Sequence, residues 1–308
     1  MRVFTDSIPF VERLTLPTTI PWSSAAPAPD ILPLVRELYG DQLIQTTTVE
    51  SATHWPYLCA SASAERSQFD LLVGLSRASA ALPDGTLCLA GAGRGLHGQR
   101  GRPWAALEGN LHLSLWLTPP PEAVHTPIDL LAMAAVSVVE AIDAVPGLAG
   151  RAGIKWVNDI LIDGAKVCGI LTHVAHRPRG VLGIVGIGLN VEAVPEVAPT
   201  PFVPTLTALR AVTSDPEQCR LGSVLHVLLV TLDRNYATLR GEGARGLFAR
   251  YRERSLVLGR QVALCAEHPD ATPEVVAEGR VVGLGDSLEL LLEGHDRPFT
   301  TGRLILRA

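Results

Sequence analysis

Gly153-Ile-Lys155-Trp156-Val157-Asn158-Asp159-Ile160-Leu161-Ile162-Asp163-Gly164-Ala165-Lys166-Val167-Cys168-Gly169-Ile170-Leu171-Thr172-His173 is the stretch around which this 308-residue chain is organised. Ile160–Ile162 and Val167–Leu171 are short apolar runs of β type. Asp163-Gly164 between them is a two-residue hairpin signal, because such a turn needs positive φ at both central positions, which Gly and Asp tolerate. At the mouth of the first run a lysine, an indole, an amide and a carboxylate fall within five residues. A lysine on a strand edge is a fixed positive charge that can meet a carboxylate or a phosphate. Taken singly, Lys155 also reads as a solvated lysine beside a packed tryptophan; only the whole string points to a site.

Working outward, Ile128 to Val145 is an apolar helical pattern with Pro127 at an allowed first-turn position and Pro146-Gly147 as its stop. Asp129, Glu140 and Asp143 interrupt it, so it reads as a buried helix and not a membrane span. Gly180 to Val191 reads as a strand whose glycines let a ligand or another backbone come close, ending at Asn190. Between Gly91 and Trp104 lie five glycines and three arginines, Arg94, Arg100 and Arg102. Glycine permits close backbone approach and arginine pairs phosphate or carboxylate oxygens bidentately, so this loop suits an anionic ligand, with a flexible surface loop as the alternative reading. No helical period follows the glycines, so a dinucleotide-binding turn is a weak reading of this loop.

These motifs together resemble biotin–protein ligases of the biotin/lipoate ligase superfamily. The Lys155-Trp156-Val157-Asn158-Asp159 string followed by Asp163-Gly164, Lys166 and Gly169-Ile170-Leu171 matches their K-W-P-N-D…D-G-x-K…G-I-L signature, with Val157 in place of proline. The loop resembles their Q-T-x-G-R-G-R-x-G-R-x-W segment: Gly93-Arg94-Gly95 matches its first half and Arg100-Gly101-Arg102-Pro103-Trp104 its second. Leu96 to Gln99 stands between as extra sequence, and Ala90 replaces the glutamine. The resemblance implies an α+β catalytic domain of class II synthetase type, and a C-terminal SH3-like β-barrel. It implies that ATP and Mg²⁺ activate biotin as biotinyl-5′-adenylate, and that the acyl group passes to a lysine of the biotin carboxyl carrier domain of a carboxylase. Lys155, Arg94 and Arg100 would carry the chemistry. Ser51, Thr53, Gly93, Gly95, Gln99, Arg102, Trp104 and Gly169 would hold biotin, and Asn158, Asp159, Asn190 and Arg307 the nucleotide. Ser51 and Thr53 enter because Ser51-Ala52-Thr53 stands where the family has its S-T-N strand end, whose small polar groups satisfy the ureido head; by residue type alone Ser51 is equally a helix cap. No protein metal ligands are expected. A lipoate or octanoate ligase, and a non-catalytic biotin sensor, stay open as alternatives.

Composition fits this reading. The chain is 47% hydrophobic with a net charge of −5, which argues against a general nucleic-acid binder. Five dispersed cysteines without a C-x-x-C pair read as reduced thiols of a cytoplasmic protein. Residues 1–44 are expected to form an irregular arm plus a short helix at Asp30–Tyr39, too short for a DNA-binding domain. Residues 45–250 are expected to form the catalytic domain. Residues 255–308, with short β runs and turns at Gly285-Asp286 and Gly294, are expected to form the barrel. A homodimer is compatible with the sequence; DNA and membrane are not expected partners.

Overall fold

The computed structural model describes residues 1–16, 20–51, 53–177, 180–266 and 274–307. In chain order its elements are β1 (Arg2–Thr5), α1 (Ile8–Arg13), α2 (Leu32–Tyr39), β2 (Gln45–Thr48), β3 (Tyr57–Ala64), α3 (Gln68–Arg77), β4 (Thr86–Gly93) and β5 (Leu111–Leu117). Next come α4 (Pro127–Asp143), β6 (Ala152–Lys155), β7 (Asp159–Ile162), β8 (Ala165–Arg177), β9 (Gly180–Leu189), α5 (Leu209–Val212), α6 (Leu221–Glu242) and α7 (Arg245–Glu253). The chain ends in β10 (Gln261–Cys265), β11 (Val275–Leu284), β12 (Leu290–Leu292) and β13 (Arg303–Leu306).

The first nine strands form one sheet in the order β2-β1-β3-β4-β5-β9-β8-β7-β6. β3 is parallel to β1 and β4, and the remaining pairs are antiparallel. Helices cover both faces, and the strands sort their side chains by alternation. On β5, Leu113 and Leu115 join the cluster that includes α4 and α6, while Trp116 joins Phe4, Ile31, Leu34 and Leu72 on the side of α2 and α3. α4 is buried from Asp129 to Val139, as a helix apolar all round must be. Its start is fixed by a capping box between Thr126 and Asp129. The four C-terminal strands form a separate antiparallel sheet, β12-β11-β10-β13, in keeping with an SH3-like domain.

The N-terminal segment departs from the irregular arm read from composition. β1 lies inside the large sheet, between β2 and β3, and Ser7 caps α1 by accepting from the Phe10 N–H. Arg2-Val3-Phe4-Thr5 is too short to show an alternation, and the Pro-rich residues after it dominated the composition. The loop read as starting at Gly91 is shorter than expected: Gly91-Ala92-Gly93 continues β4 and does not belong to it. Added Cβ atoms at Gly91 and Gly93 would stand 2.8 and 2.9 Å from the Ala62 and Ala64 carbonyl oxygens, so these glycines serve strand packing.

Candidate active site

One cavity of about 460 Å³ opens where the large sheet meets the small one. At one end it is cationic. Lys155 ends β6 and pairs in register with Asp159 across the turn Trp156-Val157-Asn158. The Asn158 amide donates to the Ile170 carbonyl at 2.9 Å and so ties this turn to β8. Asp163 (φ 50°) and Gly164 (φ 85°) make the expected hairpin turn, which brings Lys166 back to Asp159 at 2.6 Å. Lys155 is only 6% exposed, and its ammonium donates to the Phe202 carbonyl of the proline-rich loop that follows Asn190. Burial lowers its pKa to about 8; Asp159 opposes the shift, and Lys166, Arg303 and Arg102 add to it. Four cations against one carboxylate form a site for an anion.

The other end is neutral. Ser67 caps α3 by accepting from the Asp70 N–H, and Gln68 follows it into the cavity wall. Gln68 is 3% exposed, yet neither its Oε1 nor its Nε2 has a hydrogen-bond partner. A buried primary amide left open in both senses calls for a ligand that offers a donor and an acceptor side by side. Trp104 closes this wall over Gly188, where an added Cβ would come within 2.5 Å of the indole. Its Nε1–H donates to His112 Nδ1 at 3.3 Å, and its ring lies 5.7 Å from the Lys166 ammonium.

Of the residues singled out in the sequence, Lys155, Asn158, Asp159, Gln99, Arg102, Trp104, Gly169 and Asn190 line the cavity. Asn190 is fully buried, and its amide donates to the Thr207 carbonyl, holding the loop that carries Phe202. Ser51, Thr53, Gly93, Arg94, Gly95, Arg100 and Arg307 are not part of the lining. Ser51 and Thr53 hydrogen-bond each other at 2.6 Å in a local turn; Ala52 between them lies outside the described residues. The loop register shifts as well. Leu96 to Gln99, read as extra sequence, is cavity wall, and Arg94 is exposed outside it. The segment closes on itself through Gly98 N–H to Arg102 O (2.7 Å) and Trp104 N–H to Leu96 O (2.9 Å). His97 pins it to α3: Nε2 meets Asp70 at 2.7 Å while Nδ1–H donates to the Gly98 carbonyl, and that backbone bond is the main reason its pKa is raised.

Arg307 pairs with Glu278 and is half exposed. Arg303, four residues earlier on β13, lines the cavity instead, with its guanidinium 3.5 Å from the centre of the Phe202 ring. Sequence reasoning also missed Ser67, Gln68, Lys166 and His112; the Ser67-x-x-Asp70 cap was the available signal for the first two. Among the described residues no group of three or more His, Cys, Asp or Glu side chains could hold a metal. Among the described residues Asp159 is the one carboxylate lining the cavity, and it is engaged by Lys166, so this donor set does not fit a protein-held Mg²⁺; such an ion would have to come on a ligand's phosphates. All five cysteines are unpaired and buried, and burial pushes the Cys59 thiol to about 12. No helix among the described residues is long and apolar enough to cross a membrane.

A model of the biotin/lipoate A/B protein ligase family matches residues 66–190. The chain is 32% identical over 216 residues to the bifunctional ligase/repressor BirA of Bacillus subtilis, an alignment covering 70% of this chain and 63% of that protein. It thus spans less than two thirds of that relative's length. It is 33% identical over 240 residues to a biotin–[acetyl-CoA-carboxylase] ligase of Mycobacterium tuberculosis, covering 75% of this chain and 80% of that one. The fold matches a biotin protein ligase from Aquifex aeolicus, solved in complex with biotin and ATP, with a TM-score of 0.62 at 24% identity, over 81% of this chain and 98% of the other.

Proposed function

The chain belongs to the biotin/lipoate A/B protein ligase family, and from that membership we propose that it activates biotin with ATP and transfers it to a carrier protein. The observation that carries the reading is the polarity of this cavity. The unpartnered Gln68 amide matches a ureido group, which presents N–H and C=O together, and the cations at the far end match a carboxylate and phosphates. In the first step the biotin carboxylate oxygen attacks the α-phosphorus of ATP. A P–O bond forms, the bond to the β-phosphate oxygen breaks, and pyrophosphate leaves. Lys155, Lys166, Arg102 and Arg303 stabilise the charge that moves onto the phosphate oxygens. Lys155 is the residue best placed for this, since it is the most buried of the four. In the second step the amine of a lysine on a biotin carboxyl carrier domain attacks the anhydride carbonyl and displaces AMP. The segment Leu96–Trp104, closed against α3 through His97, shields that anhydride from water. Gln99 and Gly169 take part as walls of the acid subsite, and Asn158 and Asn190 by holding the surrounding backbone.

Pyrophosphate release with ATP, Mg²⁺ and biotin, with hydroxylamine as trap and lipoate and octanoate beside it, tests the proposal. Biotin-dependent release supports it. Release with lipoate or octanoate alone would change the substrate, and biotin binding without release would mean a sensor.

A further inference from the structure

His112 sits on β5 beneath Trp104 and is 4% exposed. Both of its ring nitrogens are used, in opposite senses. Nε2–H donates to the Leu107 carbonyl at 3.2 Å, and Nδ1 accepts from the Trp104 indole N–H at 3.3 Å. Only the neutral ring protonated on Nε2 satisfies both bonds. Burial keeps it so, lowering its pKa to about 4 against the opposing pull of the Leu107 carbonyl.

Trp104 is the foot of the cavity-covering segment. Its backbone N–H closes the segment onto Leu96, and its side chain lies in a recess that glycines at 169 and 188 leave open. Glycine provides room but no direction. A ring held by packing alone could turn about its side-chain torsions, and the bond to His112 removes that freedom.

We infer that His112 is a positioning residue: its Nδ1 fixes the Trp104 indole, which sets the wall of the acid-binding end and anchors the segment that covers it. His112 reaches the bound acid through Trp104, not by contact. The inference rests on the ligase reading only for its probe, biotin.

Two measurements on the full chain test it. Among the five indole N–H signals in a ¹H–¹⁵N spectrum, that of Trp104 is the one missing in Trp104→Phe. We expect it to be protected from solvent exchange in the wild type and in His112→Asn, which keeps an acceptor near the Nδ1 position, and to move and exchange in His112→Leu. An unmoved signal in His112→Leu overturns the inference without any ligand being involved. By calorimetry, His112→Leu should bind biotin about tenfold more weakly, the scale of one lost buried hydrogen bond. On a Trp104→Phe background the same change should add almost nothing. Penalties that multiply in the double variant would overturn the inference, because His112 would then act independently of the indole. Wild-type protein that binds no biotin would sink the ligase reading and leave the spectroscopic result standing.

Discussion

The two ends of the cavity solve opposite problems with opposite means. The Lys155 end gathers four positive side chains around one carboxylate, so it is strained by excess charge until an anion arrives. The Gln68 end has no net charge and is strained by two polar atoms with nothing to bond. Both defects are native-state costs that a ligand removes, and they lie in the same space. The first defect selects for charge and is tolerant of shape. The second selects for a donor–acceptor pattern and is blind to charge. A ligand has to be right at both ends to relieve both.

That contrast can be broken from either side. Lys155→Met should lower the rate of adenylate formation about a thousandfold, the scale of losing a main electrostatic contact. It should leave the thermal midpoint no lower than that of the wild type, since the removed ammonium was buried among three other cations. A normal pyrophosphate-release rate would take Lys155 out of the chemistry. Gln68→Leu should weaken biotin binding about a hundredfold while raising stability by about 1 kcal/mol, because the unsatisfied amide is gone. It should also narrow the preference for biotin over octanoate in competition assays. Arg303→Ala should raise the KM for ATP about tenfold and leave biotin affinity unchanged, whereas Arg307→Ala should move neither by more than about twofold. The smallest effect is that of pH. The Lys155 ammonium is held below its ordinary pKa, so its charge is complete under about pH 8 and lost as pH rises through that value. ATP affinity of the free protein should fall over that range, and Lys155→Arg should abolish the slope. In the unfolded chain this lysine stays charged to the higher ordinary value. Stability should therefore rise with pH between pH 8 and that value as the buried charge is shed.

How much of this could be read in the sequence followed from how local each feature is. Lys155, Asn158 and Asp159 were legible because a hairpin with its own turn chemistry carries them, and such a unit brings neighbours in sequence together in space. The same holds for the small sheet, whose β runs and turns alternate along the chain. Gln68 was not legible because its significance is an absence: only the folded surroundings reveal that a buried amide has no partner. Ser51 and Thr53 rest on a three-residue likeness, while Ser67 and Gln68 at the start of α3, fourteen and fifteen residues further on from Thr53, supply the polar groups to the cavity. Arg307 lies one residue beyond β13, at the end of the strand away from the cavity. Residues 303 and 307 share a face by alternation, yet they are separated by four strand residues, about 13 Å, and only Arg303 reaches the mouth. Which part of the loop faces the cavity was not legible because glycine and arginine recur throughout it and neither marks the wall. β1 was missed because four residues are too few to show a period.

Trp156, the immediate neighbour of Lys155, gives its indole N–H to the carbonyl of Leu288, which lies in the small C-terminal sheet's loop at φ 63°. Tyr251 donates from α7 to the Val157 carbonyl beside it. In evolutionary terms this makes the two sheets poor candidates for independent exchange. A replacement barrel would need a backbone oxygen at one position, presented by a residue in a conformation that few side chains tolerate. Without it, the turn next to Lys155 would lose the partner of its indole N–H. The last fifty residues behave as inherited tooling for the turn beside Lys155, and substitutions on either side of that indole would be expected to travel together.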